Sequence, residues 1–125
     1  MGLSKYSFPK KEKLTGKKKI EELFKNGSSF YLNDFQVRHL RSDQEGLNQI
    51  LISVPKRNFK RAVDRNLLKR RIREAYRLNK DLAIRKHSQR SYYIGFIYLS
   101  KEILTFHDIQ TQLIKCLERL GTINK

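Results

Sequence analysis

Between Lys56 and Arg77 the chain runs KRNFKRAVDRNLLKRRIREAYR, and its charges are ordered. Ten of these residues are Lys or Arg and two, Asp64 and Glu74, are acidic; the surplus of eight is half of the net charge of +16. Laid on a helix at about 100° per residue, Asn66, Lys69, Arg70, Arg73 and Arg77 fall within one sector of roughly 100°, with Arg65 close to its edge. Val63, Leu67, Leu68, Ile72, Ala75 and Leu78 take the other side. The spacing predicts a helix from about Arg61 to Asn79 with one packing face and one cationic face. A helix face that is merely solvated mixes signs at i,i+4 and gains from the pairing. Here nearly every charge is positive, and like charges repel. A rigid strip of one sign suits a polyphosphate backbone.

Upstream, Thr15 is placed to cap a first helix over about residues 16–25, with Ile20, Leu23 and Phe24 on one stripe and Asn26-Gly27 as its stop. Phe30-Tyr31 reads as a short strand, and Phe35 to Arg41 as a longer one. Ser42 to Gly46 reads as a turn, and Gln49 to Val54 (QILISV) as the most apolar strand, ended by Pro55. Downstream, the polar stretch Lys80–Arg90 continues the helix and then becomes a loop. Tyr92 to Leu99 (YYIGFIYL) is a strand. Thr105-Phe106-His107-Asp108 fits a capping box opening a last helix over about residues 106–120, with Phe106, Ile109, Leu113, Cys116, Leu117 and Leu120 on one stripe and Gly121 as its stop. The order is αβββαβα, an α+β chain whose two late helices cover a sheet as a two-layer α/β sandwich.

At 125 residues the chain suits one domain, with residues 1–13 as a flexible basic arm around Pro9, 14–121 as the folded unit and 122–125 as a short tail. With 28 basic residues against 12 acidic ones it should attract polyanions. A membrane is not the expected partner, since no run of 18 apolar residues occurs. The first residues lack an apolar stretch of signal-peptide length, and the sixth residue, Tyr6, does not fit a myristoylation signal. One cysteine allows no internal disulfide. These features point to the cytoplasm.

Catalytic patterns are missing. His39, His87 and His107 are scattered, without metal-ligand spacing to Cys116. Cys116 falls on an apolar stripe and reads as a small buried hydrophobe. There is no glycine-rich phosphate loop, and Glu21 and Glu22 are helix neighbours that do not face each other. Asp108 reads as part of a cap. No side chain is assigned as catalytic and none as a metal ligand. The residues alone describe a protein that binds, positions or neutralises. Tyr92, Tyr93 and Tyr98 read as core or strand-edge residues before base-stacking ones.

Ala62-Val63-Asp64-Arg65-Asn66-Leu67-Leu68-Lys69-Arg70-Arg71-Ile72-Arg73 carries A-V-x-R-N-x-x-K-R-x-x-R, which resembles the RNR signature of the bacterial ribonuclease P protein subunits. Leu14, Ile20, Leu23-Phe24 and Gly27 resemble that family's first helix and its glycine stop, and Ser53-Val54-Pro55-Lys56-Arg57 its segment before the RNR helix. The resemblance spans about residues 12–120. It implies a fold similar to the ribosomal protein S5 domain 2-like fold, with a left-handed βαβ crossover through the RNR helix, against the usual hand. It implies a monomeric protein that partners a catalytic RNA, which cleaves the 5′ leader from precursor tRNA with magnesium bound mainly by the RNA. DNA is not an expected partner. By the same resemblance Arg65, Asn66, Lys69, Arg70 and Arg73, extended by Arg77 on the wheel, are the RNA-binding residues. The resemblance also implies a cleft for the leader between the first helix and the sheet. Phe24 matches an aromatic position there, with Arg38, Ser53 and Lys56 as further expected lining, and Phe24 reads equally as a core residue beside Ile20 and Leu23. Two positions depart from the family pattern. Ile20 stands where Phe is common, and Arg71 where an apolar residue is usual; Arg71 either snorkels to the helix edge or marks a helix rotated from this wheel. A structural RNA-binding protein of ribosomal type, with no enzymatic partner, is the alternative.

Overall fold

The computed structural model describes residues 12–45, 47–83 and 90–123. It contains α1 (Lys17–Asn26), β1 (Ser28–Leu32), β2 (Phe35–Glu45), β3 (Gln49–Ser53), α2 (Ala62–Asn79), a 3-10 turn over Lys80–Ala83, β4 (Arg90–Tyr98) and α3 (Phe106–Ile123). This is the expected α+β order, αβββαβα. The strands form one mixed sheet in the order β1-β2-β4-β3, antiparallel except for β3 beside β4. A parallel neighbour needs a long crossover, and α2 supplies it.

The two faces of the sheet carry different loads. Phe35, Val37, Ile50, Ile94, Phe96 and Tyr98 turn to one face, where they form a single core with Leu68, Ile72, Ala75 and Tyr76 of α2 and Ile109, Leu113, Cys116, Leu117 and Leu120 of α3. Rings lock the centre: Tyr76 lies against Phe96 with centroids 6.1 Å apart, and Phe35 meets Tyr98 edge-on at 5.7 Å. The other face, carrying Gln36, Arg38 and Leu40, is covered in part by α1 through its one buried residue, Leu23. Gly95 makes the room: a Cβ there would stand 3.3 Å from Leu23 Cδ2. Gly27 is required by a still closer approach, since a Cβ would fall 2.3 Å from Leu23 O and 3.0 Å from His39 O, both backbone atoms.

Several boundaries differ from the sequence reading. Thr15 does not cap α1. Gly16 is the N-cap residue at φ 96°, a left-handed conformation that glycine adopts at little cost, and no side chain caps the helix. Ser42–Glu45 is strand rather than turn: a register shift between Arg41 and Glu45 lets β2 continue along β4 to the Glu45–Arg90 pair. The β1–β2 connection is the pair Asn33–Asp34, with Asn33 at φ 52° and Gln112 of α3 clamping Asp34 by bonds of 2.8 and 3.0 Å. Thr105 Oγ1 accepts the Asp108 N–H at 3.2 Å, so the expected cap opens α3. Gly121 does not end that helix. Leu120 is fully buried, worth about 1.5–3 kcal/mol, which outweighs the helical cost of one glycine, about 1 kcal/mol, and Thr122 Oγ1 donates to the carbonyls of Glu118 and Arg119 in the last turn. Helix α3 thus takes in residues 122 and 123, assigned above to the tail.

The folded unit also begins earlier than residue 14. Lys13 bridges Ile50 in parallel, and the Leu14 N–H donates to Ile50 O at 2.9 Å. Glu12 is 2% exposed, and both its oxygens accept bonds from Lys80 Nζ at 3.0 Å. The remainder of the basic arm, residues 1–11, the turn residue Gly46, the stretch 84–89 and the end of the tail, residues 124–125, lie outside the described residues.

A buried ion pair gains little net stability, because each charge leaves water, but an orphaned partner is costly. Glu12→Ala should therefore destabilise the protein by about 3–5 kcal/mol in urea unfolding. Glu12→Leu combined with Lys80→Met should cost far less than that. Equal losses in the two variants would show that the pair is not acting as a desolvated unit.

Candidate nucleic-acid interface

Four buried side chains, Leu68, Ile72, Ala75 and Tyr76, fix the rotation of α2. Tyr76 is the one the periodicity overlooked. Its ring draws the packing face toward its own side of the wheel and leaves Val63, roughly 140° from Leu68, 59% exposed. Leu78 is exposed for the same reason and Leu67 only half-buried, so three residues placed on the packing face lie outside it. Asn66 and Arg70 are exposed, while Lys69, Arg73 and Arg77 are half-buried, and Lys69 lies only about 20° from Tyr76 on the wheel.

The basic residues of this segment divide into two groups. Arg65 turns back to the preceding loop, where Nη1 donates to the carbonyls of Phe59 at 2.7 Å and Lys60 at 2.9 Å. Arg71 leaves the edge of the packed face and donates to Leu104 O at 2.6 Å, tying α2 to the segment before α3. The packed face is rotated toward Tyr76 relative to the wheel of aliphatic residues, and this leaves Arg71 at its edge. Arg77 pairs with Glu74 one turn back, through Nε to Oε2 at 3.1 Å and Nη2 to Oε1. That bond from Arg77 holds the Glu74 carboxyl below its ordinary range. Arg61 lies 3.9 Å from Asp64. Lys69, Arg70 and Arg73 have no carboxylate or carbonyl partner among the described residues. They form a continuous row, three cations within five positions, on a rod whose phase the core has set.

On the α1 face of the sheet two of the four expected cleft residues, Phe24 and Arg38, come together. Arg38 Nη2 donates to Phe24 O at 2.6 Å and to Gly27 O at 3.4 Å, and its guanidinium carbon lies 5.2 Å from the centre of the Phe24 ring. Phe24 is 41% exposed, outside the core; Leu23 is the core residue of α1. Arg38, Gly95 and Leu51 are register partners in one row of the sheet, and Gln36, Ile97 and Ser53 in the next, so Ser53 shares the face with Arg38. Lys56 is exposed in the turn beyond β3. Tyr31, paired with Gln36 and 66% exposed, adds an aromatic ring at the sheet edge that the sequence reading passed over. An exposed aromatic on an alternating strand was the available signal. Tyr98, by contrast, is core, with its hydroxyl donating to Glu102 O and accepting the Leu104 N–H.

The described residues place no three His, Cys, Asp or Glu side chains together in a way that would hold a metal ion. Burial pushes the Cys116 thiol up to about 12, which leaves it inert at neutral pH. No described helix is long and apolar enough to cross a membrane.

Residues 8–121 match the family model described as Ribonuclease P. The chain is 33% identical over 120 residues to the Ribonuclease P protein component of Porphyromonas gingivalis, covering 93% of this chain and 88% of that one. It is 34% identical over 125 residues to the same component from Dictyoglomus turgidum, covering 100% of both. Among solved structures, the RNase P protein from Thermotoga maritima aligns with a TM-score of 0.72 at 25% identity, over 86% of this chain and 96% of that one. The RNase P protein of Staphylococcus aureus aligns at 0.68 and 25% identity, over 91% and 95%.

The division of the cations separates stability from binding. Arg65→Ala and Arg71→Ala each remove charged donors from backbone carbonyls and should lower unfolding stability by about 1–2 kcal/mol. Lys69→Ala, Arg70→Ala and Arg73→Ala should leave thermal unfolding within about 0.5 kcal/mol of the parent. Calorimetry of the five variants checks this, and a uniform shift across all of them would erase the distinction.

Proposed function

The chain belongs to the ribonuclease P protein family, and we propose that it is the protein subunit of a ribonucleoprotein endonuclease that removes the 5′ leader of precursor tRNA. The observation that carries this reading is the open row Lys69, Arg70 and Arg73. Uncompensated like charges on one helix face cost stability until a polyanion meets them. A catalytic RNA supplies that polyanion, and Asn66 adds a neutral donor and acceptor beside the row. Arg65 and Arg77 stand at its margins. Arg65 contributes by holding the loop before α2, and Arg77 contributes charge only in exchange with Glu74.

The α1 face takes the leader in this reading. Arg38 is already bonded to the carbonyls of Phe24 in α1 and of Gly27 just beyond it, so its main service is to hold Phe24 as an exposed ring on which a base can stack. Ser53 offers a hydroxyl on the same face, and Lys56 offers a charge for a phosphate. Ile20 lacks a π-face, so stacking in this cleft rests on Phe24. Hydrolysis is assigned to the RNA with its magnesium. Among the described residues no group of His, Cys, Asp or Glu offers the ion a cage in the protein. The place of action is the cytoplasm, where precursor tRNA is made.

Two experiments test the reading. The protein freed of RNA should not cut precursor tRNA, and accurate cleavage should appear on adding the catalytic RNA and magnesium; RNA-free cleavage at the correct site would overturn the assignment. Second, Lys69→Ala, Arg70→Ala or Arg73→Ala should each weaken binding to the catalytic RNA by roughly 1.5–3 kcal/mol, and affinity should fall steeply with salt.

The cleft makes its own forecast. The protein should strengthen binding of precursor tRNA bearing a leader of several nucleotides and give mature tRNA little advantage. Phe24→Ala should remove about 1–3 kcal/mol of that leader-dependent gain, and Lys56→Ala a smaller part, with binding to the catalytic RNA unchanged. Equal enhancement of both substrates would take the cleft out of the mechanism.

A further inference from the structure

A groove of about 290 Å³ lies along the free edge of β3, between the segment that precedes α1 and the cationic face of α2. Leu14, Ile50 and Ile52 give it an apolar floor, and Lys13, Lys69 and Arg73 stand around it. Its volume is at the low end of ligand sites. Lys69 and Arg73 are half-buried here and have no acidic partner among the described residues.

The strand edge contributes polar groups. Ile50 turns its backbone toward the entering segment, where its carbonyl accepts the Leu14 N–H. Backbone groups alternate sides along a strand, so Ile52 presents its N–H and C=O to the same edge, beyond the point where Lys13 and Leu14 bridge it. The groove thus combines an apolar floor, a paired donor and acceptor on one rim, and cations on the other. An extended peptide would use the strand edge but would have to be acidic to suit three cations. A single unstacked nucleotide uses all three features: its base lies on the floor, its edge meets the Ile52 amide groups, and its flanking phosphates meet Lys69, Arg73 and Lys13.

We propose that this groove receives one extruded nucleotide of the RNA subunit. The inference rests on the reading of α2 as the RNA-facing helix and adds a base-holding site to it. The buried Glu12–Lys80 pair positions the Lys13–Thr15 wall. The groove lies apart from Phe24 and Arg38, so it does not serve the leader.

Thr15 lines the groove and is exposed, and the native Cys116 is buried. A Thr15→Cys variant carrying a photoactivatable aryl azide therefore reports from this place in the assembled holoenzyme. Crosslinks mapped by primer extension should fall at one unpaired nucleotide of the catalytic RNA. Thr15→Trp, which fills the groove, should weaken RNA binding by roughly tenfold with an unchanged melting temperature and an unchanged salt slope. Crosslinks spread along a duplex or onto the precursor leader, or a Thr15→Trp variant that binds as the parent does, would overturn the proposal. Failure here with a normal loss in Lys69→Ala removes only the groove. A Lys69→Ala variant that binds RNA as well as the parent removes the underlying reading too.

Discussion

Everything on the binding side of this protein depends on the contact of Leu68, Ile72, Ala75 and Tyr76 with the sheet. An isolated helix with so many like charges would be a poor helix, and its charges would point everywhere. Burying a Leu or Ile side chain is worth about 1.5–3 kcal/mol, more than a surface repulsion of a few tenths per pair takes away. Packing therefore wins, and it sets the rotation of α2 to within the tolerance of a close-packed core. The cationic row inherits that precision without any polar contact of its own.

The same segment shows how a basic protein divides its charges. Arg65, Arg71 and Arg77 are bonded within the fold; Lys69, Arg70 and Arg73 are left open. Arg suits the first task because its planar fork reaches carbonyls and carboxylates at fixed angles. Arg65 ties the start of α2 to the loop before it, Arg71 ties its middle to the segment before α3, and Arg77 pairs within the helix. The rod is rigid because some of its charges are spent on the protein, and it is attractive because others are not.

Much of this was legible in the residues. The order of elements follows from periodicity and turn signals, and the helix over Ala62–Asn79 from its apolar spacing. What stayed hidden has definite causes. A wheel that counts only aliphatic residues misses Tyr76 and so misplaces Val63 and Leu78. Gly121 looks like a stop because propensity is local, whereas Leu120 is held by the distant core. Arg65 and Arg71 carry the same formal charge as Arg70, and only the positions of the Phe59, Lys60 and Leu104 carbonyls tell them apart. For the cleft, adjacency of Phe24 and Arg38 depends on α1 folding back over β2, a long-range fact. The groove beside β3 needs Lys13 and Leu14 on its edge, and no local pattern in a lysine-rich arm announces a bridge to Ile50.

The central place of β4 has a bearing on how the chain is made. The strand lies between β2 and β3 yet follows both in sequence. While residues up to Asn79 emerge from the ribosome, β1 and β2 can close as a hairpin, but β3 has only the Lys13 bridge beside it and α2 has no finished sheet to pack on. Chains fold as units once the required segments are out, at synthesis rates of about 5–20 residues per second, and non-local pairings of this kind come late. A nascent or truncated chain thus carries the basic residues without their arrangement. The rigid cationic face appears only after Arg90–Tyr98 and α3 have been added, so before then a polyanion meets loose charges and not an ordered row.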